Sequence, residues 1–535
     1  MDSDESRHVD AFIGKLTRRQ VLQGAAAVGG AFALGPVIAA CGGGSSSSTS
    51  DVGGGGGPKK GGSLKVALTN GSVKDTLDPH IPSSEADTAY NFAMFDGLCQ
   101  YDNDYRIVNA LAEEITPNAD DTEWMVRLKP DVVFHDGKPL TADDVVYSFE
   151  RILDPKDPKG AADQLLNLSP GGTTKVDNKT VKFTLDAPNA VLLDAFGSFR
   201  TRIVPVNFDP KKPIGTGPFK LKSYRPGEQA VFGPNTDFWG EGPYVDELTL
   251  LIVVDNTARV NSLLGGSVEM IAGLPRAQAG TVEAASAYKV LRSETGAWDP
   301  FTMRIDQKPF DDVRVRQAFR LIVDRKQMIE LAYAGYGSLG NDMCGRYDLG
   351  YPKDLPQREQ DLEKAKFLLK EAGYEGLSIE LVTSDGIGAD VVAAAQVFAE
   401  QAKGAGVKVN IKKVDSGVFY GQDYLTYTFA QDYWNTRNYL MQAALGEFPR
   451  APLNETHWKN DKWLAIVQEA FRTVDETKRN KLVSDALTIE YDEGASILWA
   501  FRDLLDGYSG KLGGVKPDKS GSALGSYRFN VVYFK

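Results

Sequence analysis

The chain of 535 residues holds only three cysteines and four histidines. Three cysteines cannot form a disulfide scaffold, and four scattered histidines leave little for a histidine-rich metal centre. Basic residues are in deficit: 60 Lys and Arg stand against 72 Asp and Glu, a net charge of −12. Such a surface repels phosphate backbones and argues against a nucleic-acid partner. Catalytic signatures are missing too. There is no G-x-x-x-x-G-K-[ST] loop, no H-E-x-x-H and no G-x-S-x-G, so neither phosphate-loop ATP hydrolysis nor the commonest hydrolase chemistries are indicated. Gly215-Thr216-Gly217 lacks the third glycine of a dinucleotide fingerprint, and Pro218 interrupts the helix start such a site needs. We expect no enzyme, no cofactor and no metal. Apolar runs long enough to span a membrane are absent after residue 40.

What is present is an ordinary globular balance, 42% hydrophobic and 25% charged, in a chain long enough for two or three domains. Residues 21–40 are apolar but broken by Gly24, Gly29, Gly30, Gly35 and Pro36, as in a secretory h-region. Arg18 and Arg19 precede it and read as a twin-arginine export signal, the alternative being an ordinary secretory leader with two arginines. Ile38-Ala39-Ala40-Cys41 resembles a bacterial lipobox, which makes Cys41 the lipidated residue of a membrane anchor. Residues 42–62 are Gly/Ser-rich, cannot bury apolar area, and read as a flexible tether.

From Ser63 onward the texture is globular. Leu64, Val66 and Leu68 alternate as in a strand, and residues 123–129 and 180–185 do the same. Thr141 and Asp144 make a capping-box start, followed by the stripe Val145, Phe149, Ile152 and Leu153. Asp361 opens another helix, which Gly373 stops. Leu377, Ile379 and Leu381, then a helix over 391–402, then Val407, Val409 and Ile411 read as strand, helix, strand. That unit implies a parallel pair with a right-handed crossover, and the mixed pattern overall argues for an α/β architecture. Asp143 and Asp144 are better read as stabilising a helix start than as an acid–base pair. His135-Asp136-Gly137 reads as a turn. Cys99 reads as a core thiol, Cys344 is ambiguous, and a disulfide between them stays open.

Several blocks together resemble the family 5 extracellular solute-binding proteins, the peptide/nickel-type receptors of ABC importers. They are Thr76-Leu77-Asp78-Pro79-His80, Asp96-Gly97-Leu98, Ala110-Leu111-Ala112-Glu113, and Arg127-Leu128-Lys129-Pro130 with the most specific stretch, residues 133–145. Ile214 to Phe219, Asp237-Phe238-Trp239, residues 309–318, Asp324-Arg325 and residues 365–374 continue in family order. The resemblance implies a type II periplasmic-binding-protein-like α/β fold of two lobes, with an extra subdomain and a ligand cleft between the lobes. It implies a first lobe of residues 63–296 plus 501–535, containing an extra subdomain at 96–201, and a second lobe of residues 297–500. It also implies a monomeric receptor that closes on its solute and delivers it to membrane permease subunits, with ATP hydrolysed by a separate subunit.

The same resemblance points to ligand residues. In peptide-binding members an aromatic residue is followed three positions on by an aspartate that pairs with the ligand's α-amine; Phe429 and Asp432 fit that spacing. Tyr433 and Trp434 would make the surroundings dry, and the alternative is that Asp432 caps a helix. Asn435-Thr436 departs from the aspartate-proline pair common in the family. Arg437 also departs from it, and would either pair with Asp432 or grip a ligand carboxylate. Ser83, Ser84 and Glu85 correspond to a segment whose backbone pairs with bound peptide as an added strand. Phe429, Trp434 and Trp458 are candidates for side-chain pockets, core packing being the alternative. A short peptide is the first choice of ligand; a cationic amine, a metal chelate or a glycoside is the runner-up. The competing class is an enzyme or signalling receptor on the same fold.

Overall fold

The computed structural model describes residues 58–535. Arg18, Arg19, Cys41 and most of the expected tether lie outside these residues. Gly61 and Gly62, expected in the tether, already belong to the fold. Their amides donate to the Tyr244 carbonyl (2.8 Å) and the Asp246 carboxylate (3.1 Å).

Strand Ser63–Leu68 runs through the middle of the largest sheet. Its alternation buries Leu64, Val66 and Leu68 completely. It lies parallel to Glu247–Ile252 on one side and Met270–Ile271 on the other. Gln229–Pro234 and Phe219–Arg225 extend one edge, Ala500–Ser509 and Tyr288–Trp298 the other, all antiparallel. Helix Glu85–Met94 packs beneath this sheet through Tyr90 and Met94.

A four-stranded antiparallel sheet, Ala112–Pro117, Glu123–Leu128, Thr180–Thr184 and Thr173–Lys175, has its own core, drawn from Leu98 to Ile203. Helix Ala142–Ile152 seals it with Val145, Phe149 and Ile152. Its start is the expected cap: the Asp144 carboxylate accepts from the Thr141 N–H (2.9 Å) and hydroxyl (2.8 Å), while Asp143 pairs with Lys175 at 2.8 Å. His135-Asp136-Gly137 is a turn, with Gly137 at φ +85°.

The second lobe is built on a five-stranded sheet in the order Lys408–Lys413, Ser378–Thr383, Phe429–Gln431, Phe301–Met303, Ser496–Ile497. Ser378–Thr383 and Lys408–Lys413 are parallel and joined by helix Ala389–Gly404, the strand–helix–strand unit expected from the hydrophobic pattern. A helical core around Trp463 and Tyr439 packs alongside. Cys99 and Cys344 lie in separate cores, both free, so the open disulfide reading is corrected.

Two chain passages join the lobes. Tyr288–Trp298 leads directly into Phe301–Met303, and Ser496–Ile497 leads directly into Ala500–Ser509. The two long strands pair antiparallel from Tyr288↔Ser509 to Trp298↔Phe501, and their register shifts between Glu294 and Trp298. An irregularity of this kind bends a strand where it leaves its sheet.

Candidate ligand-binding cleft

A cavity of about 1520 Å³ opens between the lobes. The first lobe contributes Asn70, Glu85 and Phe92; the small-sheet region contributes Tyr101, Tyr105 and Asp194. The second lobe contributes Asp390 and the run Asn435 to Asn438, and the C-terminal segment closes the wall from Ser520 to Val531.

Bonds cross the cleft at several points. Asn438 Nδ2 donates to Asp194 Oδ1 (2.6 Å), which also accepts from the Tyr101 hydroxyl (2.8 Å). The Tyr105 hydroxyl donates to the Thr436 carbonyl (3.0 Å), and Thr436 Oγ1 donates to the Lys519 carbonyl (2.9 Å). Arg276 pairs with Asp390 across the lobes. Burial raises the Asp194 carboxyl to about 6 despite the two donors, with Asp348 pushing the same way and Arg479 opposing.

Of the expected site residues, Glu85 and Arg437 line the cavity. Glu85 accepts from the Thr69 amide (2.6 Å) and the Tyr527 hydroxyl (3.2 Å), so its carboxylate is anchored in the wall. Ser83 and Ser84 are corrected to helix-start residues. Their amides both donate to Asp87 (2.9 and 3.3 Å), and the Glu85 amide donates to Asn70 Oδ1 (2.8 Å), so none of the three N–H groups is free for an added strand. Ser84 is the N-cap of helix Glu85–Met94.

Asp432 differs most from expectation. It is 3% exposed and not part of the cavity wall. Its two oxygens accept from the Tyr420 (2.7 Å) and Tyr424 (2.9 Å) hydroxyls, and its own neighbour's amide, Tyr433 N–H, adds a third bond (2.8 Å). Glu455 lies against it, and burial pushes both carboxyls above the usual range, with the Asp432 charge raising Glu455 further. The helix-cap reading fails as well, since Asn438 is the N-cap of Tyr439–Gly446. Arg437 forms no ion pair with Asp432.

The aromatic candidates are core residues. Phe429 packs among Phe301, Phe310, Phe319 and Phe398, with ring centroids 5.3–6.0 Å away. Trp434 stacks on Trp298 at 6.3 Å, and the two backbones exchange hydrogen bonds of 3.0 and 2.8 Å. Trp458 packs edge-on to Trp463. Tyr433 is half-buried beneath the Arg502 guanidinium, 5.9 Å from its ring. Tyr101, Tyr105 and Asp194 went unsuggested by the sequence, although two tyrosines flanking a polar Asp102-Asn103-Asp104 turn are a usable signal.

Among the described residues, Cys344, Glu447 and Glu490 bring possible metal-ligating atoms within 4.8 Å of one another. Glu490 accepts from Trp463 Nε1 (2.7 Å) and from the Tyr439 hydroxyl, and burial raises the thiol and both carboxyls. Buried, and with Glu490 bonded to Trp463 and Tyr439, the group reads as a polar knot within the core.

Two α/β lobes joined by paired crossing strands, with a large polar-walled cavity between them, define a solute-binding receptor fold. A model of bacterial extracellular solute-binding proteins, family 5, matches residues 106–450, and the chain belongs to that family. The glutathione-binding protein GsiB of Salmonella typhimurium is 25% identical over 476 residues, covering 85% of this chain and 92% of that protein. The fold is shared with the periplasmic binding protein DppA of Helicobacter pylori in complex with the peptide STSA (TM-score 0.73, 22% identity, 89% and 98% of the two chains). It is shared too with NikZ of Campylobacter jejuni in complex with Ni(L-His) (TM-score 0.74, 20% identity, 88% and 99%). Among the described residues, no helix is long and apolar enough to cross a membrane.

Proposed function

We propose that this protein is the receptor of an ABC importer that captures short peptides between its lobes and presents the closed form to a permease. The carrying observation is the cavity of about 1520 Å³ walled by both lobes. It exceeds the roughly 300–1,000 Å³ that encloses a drug-sized molecule and suits a ligand of several residues. GsiB, named for glutathione, and DppA, solved with a tetrapeptide, support the peptide class. The cavity wall described carries no histidine or cysteine, so a metal would have to arrive fully chelated. The protein is monomeric, exported through Arg18 and Arg19, and anchored through Cys41. Its lobes comprise residues 63–296 plus 501–535, with the subdomain at 96–201, and residues 297–500. Closure is driven by ligand contacts and needs no covalent chemistry.

Labels on cysteines placed at the exposed Val73 and Val418, one on each lobe, test the reading. A mixture of di- to pentapeptides should shorten the distance between them. A distance unchanged by saturating peptide but shortened by a peptide-free extract of growth medium would move the ligand outside the peptide class.

A further inference from the structure

The ionisable groups of the cleft wall are nearly all spent on the protein itself. Glu85 is bonded to Thr69 and Tyr527, Asp96 to Thr216 and Trp239, Asp194 to Tyr101 and Asn438, and Asp390 to Arg276. The arginines follow suit. Arg202 donates to Asn91, Arg259 to a ring of backbone carbonyls, Arg502 pairs with Asp299, and Arg528 donates to the Tyr101 carbonyl. Arg437 is different. Among the described residues its guanidinium has no ion pair and no hydrogen bond, and it lies over the Trp434 ring, 5.5 Å away.

Its surroundings add to the imbalance. Arg437 feels Arg200 as a second positive charge and Asp163 as the nearby carboxylate, both from the small-sheet region across the cleft. Two guanidiniums therefore share one carboxylate. Arg200 Nε is buried without a hydrogen-bond partner, and so is Asp163 Oδ1. Helix Tyr439–Gly446 begins next to Arg437, and its N-cap, Asn438, turns its side chain to Asp194 instead of to the helix amides. The first helix amide, Tyr439 N–H, donates to the Asp348 carboxylate instead (3.1 Å).

Resting on the receptor reading above, we infer that Arg437 determines the specificity of the cleft by taking a carboxylate of the captured solute, so that the ligand class is acidic. A guanidinium offers a planar fork that matches a carboxylate with two parallel hydrogen bonds. The ligand's acidic group supplies the hydrogen-bonded partner that Arg437 has nowhere in the cavity wall. With Asp432 bonded to two tyrosines outside the cavity wall, the solute is held by its acid and not by its amine.

The test uses the full-length protein, with tripeptide mixtures carrying a free C-terminal carboxylate and the same mixtures C-terminally amidated. Calorimetry on wild type should show the amides weaker by roughly thirtyfold or more. Arg437→Gln should bring the free acids down to the level of the amides and move the melting temperature little, since no hydrogen bond or ion pair within the protein is lost and only the contact with the Trp434 ring goes. Arg437→Lys keeps the charge without the fork, and should retain the preference for acids at reduced affinity. An Arg437→Gln protein that still prefers free acids overturns the inference. A second arm is independent of peptides: the solute released from protein recovered from its own cells is examined by mass spectrometry. An acidic peptide supports both readings. An acidic solute that is not a peptide leaves the anchor standing and removes the peptide reading. A solute with no acidic group overturns the anchor.

Discussion

At the scale of the residue, chemistry was legible where it depended on type and spacing, and hidden where it depended on neighbours distant in sequence. Asp432 stands three positions after Phe429, as the family pattern asks, yet Tyr420, Tyr424 and Glu455 arrive from other segments to occupy it. No local pattern announces those partners. Arg437 was legible because it departs from the pattern and because its surroundings do not cancel it. Asp194 was invisible in the sequence but carries a pH prediction. Its folded pKa, about 6, lies above the value of 3.8 expected when unfolded, because burial penalises its charge. The stabilisation is therefore complete below about pH 4 and is lost as pH rises through about 6, in total on the order of 3 kcal/mol. Melting curves from pH 4 to 7.5 should show Asp194→Asn with a shallower decline than wild type over that window. Equal slopes would mean that Asp194 titrates normally.

At the scale of the element, periodicity did well. The alternation of Leu64, Val66 and Leu68, and the strand, helix and strand around residues 377–413, all lie where the hydrophobic pattern puts them. So does the helix opened by Asp361, whose side chain accepts from the Lys364 amide (2.9 Å). The pattern could not say which buried aromatics face a core and which face a cavity, because both environments reward the same side chains. Strand Phe429–Gln431 shows this: it lies inside the second sheet, and Phe429, 1% exposed, fills the centre of its core. Phe429→Ala should cost about 3–5 kcal/mol of stability. Urea unfolding should show the lower midpoint, while ligand affinity of the folded variant stays near wild type. A large loss of affinity with little loss of stability would return Phe429 to the cleft.

At the scale of the whole molecule, composition excluded more than it named: the acid surplus argued against a nucleic-acid partner without pointing to a ligand. The order of the family blocks along the chain then pointed to two lobes and a cleft. The membrane anchor proposed above rests on Cys41. Cys41→Ser should shift the protein from the membrane fraction to the soluble fraction with ligand affinity unchanged; retention in the membrane fraction would refute the lipid anchor. The crossing strands bear on what the receptor can report. Tyr288–Trp298 and Ala500–Ser509 are laced together along most of their length inside the first lobe's sheet, so the two passages to the second lobe leave it side by side. The irregularity between Glu294 and Trp298 is the compliant place in an otherwise stiff double strap. On the receptor reading proposed above, the lobes close by bending where these two adjacent passages leave the sheet. Solutes that differ in shape or side chain become, to anything docking on the outer faces, the same bend of the same joint.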